Sequence, residues 1–386
     1  MQIRLGESLL NYSMIKVIIL SGVSSKKDFV GLILKVVDYC NYSCPFCGYA
    51  QSCKTSKSSM DLTVFQRAIE QAGEYNIANG VWHLSVVFHG GEPLLWGETN
   101  FRKAIELEKQ FLSTHEGFCF YNNIQTNGSL INGSLLEFFR ENQFNVGVSL
   151  DGPSDINYHN HNEEHLVLSN IRRLMDSNCN IRLLSVITDH HYGQANQYYD
   201  FLVENHIRNV GLCFCVDEGN RTIVDFTILL EFLIQLYQRC RRDNFRIHIR
   251  EFENIINCCK GRIDDPSISH CCTFSRRSVC GCYYSVLPNG DVLFCDTLGF
   301  DDEVIGNIET SSFISIKNSN QVRERMSIIQ HSINSTCREC VIGQICGMGC
   351  GKHIYPNGEN YFCEVFRKLY LYIQADFPMN NGGESK

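Results

Sequence analysis

The stretch Leu32-Ile33-Leu34-Lys35-Val36-Val37-Asp38-Tyr39-Cys40-Asn41-Tyr42-Ser43-Cys44-Pro45-Phe46-Cys47 decides how this chain is read. Its first half is an apolar, β-branched run with the length of a buried strand. Its second half carries three cysteines at the spacing C-x3-C-x2-C, with the aromatic Phe46 just before the last. Three thiolates so placed can hold three corners of an iron-sulfur cube and leave the fourth iron open. Closed structural metal sites use four protein ligands, whereas a metal position with a vacancy is one where a substrate or cofactor binds. The same cysteines would also suit a zinc knuckle or half of a ferredoxin site, so the loop is a hypothesis that its surroundings must support.

Outward from this loop, apolar β-rich runs alternate with amphipathic stretches, the pattern of βα units on a parallel sheet. The expected strands are 32–37, 84–88, 118–125, 146–150, 181–187 and 210–214, and the expected helices 62–75, 101–112, 134–141, 164–175, 194–204 and 223–241. Six such units predict an α/β fold, a partial (β/α)6 barrel over 31–256. Chemistry in barrels sits at the carboxyl ends of the strands, and the cysteine loop follows the first strand directly. Residues 1–30 are weakly patterned, an edge hairpin or cap too short for an added peptide-binding domain. A cysteine-rich region is expected over 257–363, with a hairpin around Pro288-Asn289-Gly290-Asp291. A final helix packing back on the barrel and a disordered tail would complete 364–386.

Composition narrows the partners. At 386 residues, with 44% hydrophobic and 20% charged content, the chain suits a soluble globular protein of about two domains. A formal charge of -8 argues against general nucleic-acid binding. The basic stretch from Arg239 to Arg250 reads as a solvated helix face. Val17-Ile18-Ile19-Leu20 is too short to span a membrane and no cleavage site follows it. The 21 cysteines in so large a chain point to a cytoplasmic protein whose thiols are kept for metal rather than to a small disulfide scaffold.

Three more strand ends carry candidate residues. The second ends in His89-Gly90-Gly91-Glu92-Pro93, where paired glycines admit a ligand close to the backbone and Glu92 offers an acceptor for an ammonium group. The third ends in Gln125-Thr126-Asn127-Gly128 and the fourth in Ser149-Leu150-Asp151-Gly152, each of which taken singly is an ordinary turn. His159, His161, His165, His190 and His191 read as solvated loop residues, and Cys213 and Cys215 as core. Further on, Cys337, Cys340, Cys346 and Cys350 follow the spacing C-x2-C-x5-C-x3-C, with Cys363 after them and Cys280, Gly290 and Cys295 upstream. A zinc ribbon accounts for the C-x2-C half only.

Taken in order, these motifs resemble the radical S-adenosylmethionine (SAM) enzymes with a SPASM auxiliary-cluster domain, over nearly the whole chain from Gly31 to Phe366. The likeness is to anaerobic sulfatase-maturing enzymes and to ribosomal-peptide maturases that make cyclophane or thioether links. It implies that Cys40, Cys44 and Cys47 hold a [4Fe-4S] cluster whose open iron binds SAM, and that its electron releases a 5′-deoxyadenosyl radical. It places Phe46, Gly90, Gly91, Glu92, Pro93, Gln125, Asn127, Ser149 and Asp151 around SAM. The arginine that relatives carry about a dozen residues after that serine is replaced by Asn160 and His161, which leaves the SAM carboxylate partner open. Two auxiliary [4Fe-4S] clusters are implied, one on Cys337, Cys340, Cys346 and Cys363, the other on Cys280, Cys295 and Cys350. Cys272, or its neighbour Cys271, would complete the second. Asp296, next to Cys295, is placed either to take a proton from the substrate or to support the cluster loop.

The expected activity is modification of a precursor peptide or protein, with a crosslink in a small ribosomal peptide favoured and oxidation of a sulfatase Cys or Ser to formylglycine as the near rival. An external one-electron reductant of flavodoxin or ferredoxin type is implied. A zinc-binding module and a ferredoxin-like carrier are the alternatives from other classes.

Overall fold

All but one of the residues of β1 (Gly31–Val37) are buried, because the strand has a neighbour on each side and helices over its outer face. The computed structural model describes residues 29–44, 47, 57–157, 163–214, 225–262, 280–296, 304–331, 335–346, 349–350, 353 and 359–377. After β1 come β2 (His83–Gly90), β3 (Cys119–Thr126), β4 (Asn145–Ser149), β5 (Asn180–Ile187), β6 (Asn209–Phe214) and β7 (His248–Ile249), each parallel to the one before. The helices between them are α1 (Leu62–Ala78), α2 (Glu98–Thr114), α3 (Gly133–Glu141), α4 (Glu164–Asp176), α5 (Ala195–Glu204) and α6 (Phe226–Arg242), and α7 (Arg250–Cys259) follows β7. The six expected strands and six expected helices all form, within a few residues of their expected ends. β7 is an addition: two residues are too few to show a period.

Alternation along the strands separates two faces. On the outer face Phe88 packs against Phe65, Trp96, Phe101 and Phe144, with ring centroids 5.2 to 6.2 Å apart. On the inner face polar side chains meet across strands: Asn123 Nδ2 donates to Ser85 Oγ at 3.4 Å, and Asn145 Nδ2 to Asn123 Oδ1 at 3.0 Å. At the other end of β1, buried Asn76 of α1 ties the entry of the sheet, accepting from Val30 N–H at 2.7 Å and donating to the carbonyls of Val30 and His83 at 2.8 Å.

The cysteine-rich region continues the same sheet. β8 (Tyr283–Val286) lies parallel to β1 on its free side, and the antiparallel strands β9 (Asp291–Leu293) and β10 (Val304–Asn307) follow. Among the described residues this makes one ten-stranded sheet in the order β10-β9-β8-β1-β2-β3-β4-β5-β6-β7. The C-terminal helix Cys363–Gln374 packs back on the barrel as expected: Phe362 and Phe366 meet Phe214, and Tyr237 Oη donates to Asp376 Oδ2 at 2.9 Å. Among the described residues no helix is long and apolar enough to cross a membrane. Residues 1–28 and the tail lie outside the described residues.

Two readings need correction. The basic stretch is not one solvated face, because α6 ends at Arg242 and Arg250 opens α7, half-buried against Glu251 at 2.6 Å; Arg239 and Arg241 pair with Asp200 and Asp376. His191 is not solvated either. Its ring is buried, with Nε2 3.0 Å from the Asp151 carbonyl and Nδ1 accepting from Thr188 N–H, so it joins the ends of β4 and β5.

Candidate active site

The cysteine loop leaves the carboxyl end of β1 and is held from three sides. Tyr42 N–H donates to Cys40 Sγ at 3.3 Å, and the Asn127 amide reaches the same sulfur at 3.7 Å while donating to Asn41 Oδ1 at 2.9 Å. Asn41 in turn donates to Ser129 Oγ at 3.0 Å, and Tyr42 Oη to Glu163 just before α4. Cys47 N–H closes the second turn on the Cys44 carbonyl at 3.1 Å. Burial pushes the Cys40 thiol up, with Glu92 and Cys47 adding repulsion and the Tyr42 and Asn127 donors opposing it. None of the three thiols is in a disulfide. This donor set fits a cationic iron site: soft sulfur ligands, with N–H groups aimed at one sulfur from the surrounding shell. Phe46 lies outside the described residues.

Gly90 and Gly91 are glycines for a reason internal to the fold. A Cβ on Gly90, whose φ is +134°, would fall 2.1 Å from the Val37 carbonyl oxygen, and one on Gly91 2.0 Å from that of Tyr39. The turn therefore lies flat against the start of the cysteine loop, with Gly91 N–H and Glu92 N–H donating to Val37 and Tyr39 at 3.0 Å. Glu92 is fully buried. Its Oε1 accepts from Leu94 N–H at 2.9 Å and Thr126 Oγ1 at 2.7 Å, and its Oε2 from Asn127 N–H at 2.7 Å. Burial pushes its carboxyl up to about 7. Glu92 thus braces the ends of β2 and β3 and caps the short 3-10 turn Pro93–Trp96.

Gln125 and Ser149 join across β3 and β4, Nε2 donating to Oγ at 2.9 Å above Gly147, where a Cβ would meet the Gln125 oxygen at 2.2 Å. Asp151 is buried, its Oδ1 accepting from Val186 N–H at 2.8 Å, so its carboxylate links the end of β4 to β5.

Asp296 comes back into the barrel from the cysteine-rich region. Its Oδ1 pairs with Lys35 Nζ from β1, and its Oδ2 lies 3.9 Å from His89 Nε2 at the end of β2. His89 Nδ1 accepts from Gly90 N–H at 2.8 Å and lies 3.2 Å from Lys35 Nζ. Burial, and then the Lys35 ammonium, push His89 down to about 4, so at pH 7 its ring is neutral with the proton on Nε2. Lys35 is only 2% exposed, whereas about a quarter of the Asp296 and His89 side chains stays accessible. Sequence reasoning named Asp296 but not its two partners. The one signal for Lys35 was a charge inside an otherwise apolar strand.

The other candidate cysteine ligands lie in the C-terminal part. Pairing of Ser285 with Leu293 returns Cys295 to the end of the β8–β9 hairpin that Cys280 enters. Cys337 lies on the short helix Ser335–Glu339 and Cys346 ends the next, Gly343–Cys346, with Cys340 in the turn between them, where Gly343 N–H donates to the Cys340 carbonyl at 2.9 Å and a Cβ on Gly343 would lie 1.9 Å from the Cys337 oxygen. Burial, and then neighbouring Cys340, push the Cys363 thiol up. Cys350 is buried. Cys271 and Cys272 lie outside the described residues. Among the described residues no three His, Cys, Asp or Glu side chains stand together as a single-ion site.

A cysteine loop launched from the first strand of a parallel barrel, with cysteine-rich strands continuing the same sheet, is the arrangement of a radical SAM domain followed by a SPASM domain, and the chain carries both. The superfamily pattern matches residues 34–196 and that of SPASM, an iron-sulfur cluster-binding domain, residues 270–341. The chain is similar to the cysteine-type anaerobic sulfatase-maturating enzyme of Clostridium novyi (strain NT), 27% identical over 89% of this chain and 95% of that one. It is also similar to the serine-type enzyme of Bacteroides thetaiotaomicron, 24% identical over 90% of each. Among solved structures, anSMEcpe with bound AdoMet and Cp18Cys peptide shares the fold at a TM-score of 0.75, 23% identical over 90% of this chain and 97% of that one. Streptococcus suis SuiB bound to precursor peptide SuiA does so at 0.61, 18% identical over 91% and 78%.

Proposed function

We propose that this radical SAM/SPASM enzyme oxidises a side chain of a peptide or protein, and that its substrate is a sulfatase whose active-site Cys or Ser becomes formylglycine. The observation that carries the reaction class is the position of Asp296: a carboxylate beside Cys295, partly accessible, and held against the two strands that lead into the cysteine loop and the glycine turn. The sequence alone favours a crosslink in a ribosomal peptide. Similarity to both sulfatase-maturating types along nearly their whole length moves formylglycine formation ahead of it. Crosslinking of a ribosomal precursor peptide stays as the second reading, since SuiB, which shares the fold, is bound to a precursor peptide, SuiA.

In this reading Cys40, Cys44 and Cys47 hold the SAM cluster. With Phe46, the Gly90-Gly91-Glu92-Pro93 turn and Gln125, Asn127, Ser149 and Asp151 border the cofactor, the buried carboxylates shaping the walls. Cys337, Cys340, Cys346 and Cys363 hold one auxiliary cluster, and Cys272, Cys280, Cys295 and Cys350 the other. When bound, SAM and its cluster supply the radical that removes a hydrogen atom from the substrate. Asp296 would then take the proton, and an auxiliary cluster the electron, as the substrate radical is oxidised, giving the aldehyde from Ser, or from Cys a thioaldehyde that water converts to the aldehyde with loss of hydrogen sulfide; a flavodoxin- or ferredoxin-type protein would supply from outside the electron that cleaves SAM.

Purified without oxygen, the protein should carry about twelve irons if all three Cys-ligated cubes fill, and replacing Cys40, Cys44 and Cys47 by Ala should remove roughly a third of them. Incubated with SAM, a reductant and a sulfatase peptide, it should form an aldehyde that a hydrazine reagent captures. A crosslinked ribosomal peptide without any aldehyde would favour the second reading, and SAM cleavage with neither product would refute both. Asp296→Asn should leave iron content and SAM cleavage unchanged but slow product formation roughly a hundred- to ten-thousandfold.

A further inference from the structure

Lys35 has no part in the reactions considered so far, yet it is among the largest fully enclosed side chains of the protein. Lysine is almost never buried unless paired. Here the pairing is specific: Nζ meets Asp296 Oδ1 and lies 3.2 Å from His89 Nδ1, while the His89 ring, fixed by Gly90 N–H, turns its other nitrogen toward Asp296 Oδ2. Both carboxylate oxygens therefore face groups supplied by the barrel. Lys35 also stands five positions before Cys40 on the strand that launches the cysteine loop, and Asp296 stands next to Cys295.

We propose that Lys35 is a positioning residue for Asp296: from β1 it fixes where the carboxylate stands, so that proton removal is registered to the loop that delivers the radical. The proposal rests on the reading of Asp296 as the proton acceptor. His89 is the lateral stop and Lys35 the anchor, because the ammonium makes the direct contact and is the more enclosed of the two. A merely structural tether would also bury this pair, but it would not couple Lys35 to Asp296 in turnover.

The test uses the cluster-loaded enzyme with SAM, reductant and peptide, comparing Lys35→Met, Lys35→Gln, Lys35→Arg and Lys35→Met combined with Asp296→Asn. Lys35→Met should retain its iron and its 5′-deoxyadenosine release while product per 5′-deoxyadenosine falls roughly a hundredfold, the scale of a small misplacement of a reacting group. Lys35→Arg should recover part of the loss, since the charge is kept on a different shape. The double variant should be no slower than Asp296→Asn, because partners in one interaction do not add. Unchanged product yield in Lys35→Met, or multiplied losses in the double variant, overturns the proposal. So does loss of iron in both Met and Gln variants, which would make Lys35 a folding anchor alone. Hydrogen exchange over 291–296 in the loaded protein separates the two readings: if Asp296→Asn turns over normally the base role falls, while faster exchange in Lys35→Met would still show that Lys35 holds the carboxylate. Unchanged exchange there overturns the positioning itself.

Discussion

Glu108 shows what burial does to one carboxyl group. It lies on the sheet-facing side of α2, 4% exposed, with Oε2 accepting from Asn122 Nδ2 at 2.7 Å and no second donor for Oε1 among the described residues. Burial pushes it up to about 8, from 4.5 in an open chain. Between those values the folded protein binds a proton that the unfolded chain releases, so Glu108 favours folding below the lower value and this contribution fades as pH rises through the upper one, by at most about 1.4 kcal/mol per pH unit. Glu108→Gln removes the titration. Melting midpoints at a fixed scan rate should fall from pH 5 to pH 8 more steeply in the parent than in this variant; parallel curves would show that Glu108 is ionised in the fold. No such group is legible in the sequence, where Glu108 is one charge among many on an amphipathic helix. Asp296 was legible through its neighbour Cys295, whereas Lys35 showed only as a charge in an apolar strand, because its partner Asp296 lies beyond the whole barrel in the sequence.

Among the elements, the turn after β2 makes the firmest claim. Its glycines leave room for the carbonyls of Val37 and Tyr39, so Gly91→Ala should push the cysteine loop away and lower iron by roughly a third if three Cys-ligated clusters fill. Gly133→Ala is the control, since its Cβ meets nothing nearer than 3.9 Å at the start of α3, and it should be neutral or stabilise by about 0.4–1 kcal/mol. Equal iron in the two variants would mean that the turn does not shape the loop. The barrel elements could be read from sequence because their outer faces are regularly apolar: β2 alternates without a break, and α4 buries Val167, Leu168, Ile171 and Leu174 on one side. The glycine turn was legible as a motif, but its packing against the cysteine loop was not. Likewise the β8–β9 hairpin announces itself through Asn289-Gly290, while nothing local says that β8 pairs with β1, since the two meet only after the whole barrel has been built. Placement of Glu92 and Asp151 follows the same rule: type and position were readable, and the donors that enclose them came from other strands.

For the whole molecule, the continuous sheet makes the cysteine-rich region part of the barrel's own edge. Removing everything from residue 280 onward would uncover one side of β1, an apolar strand whose backbone groups would then be free to pair with another chain. The truncated protein should aggregate on size-exclusion chromatography; a well-behaved monomer would show that β8 is dispensable. The pairing has one more effect. With β8 hydrogen-bonded to β1, the barrel and the cysteine-rich strands share one wall, so among the described residues the two cannot swing apart like a clamshell without breaking that strand pairing.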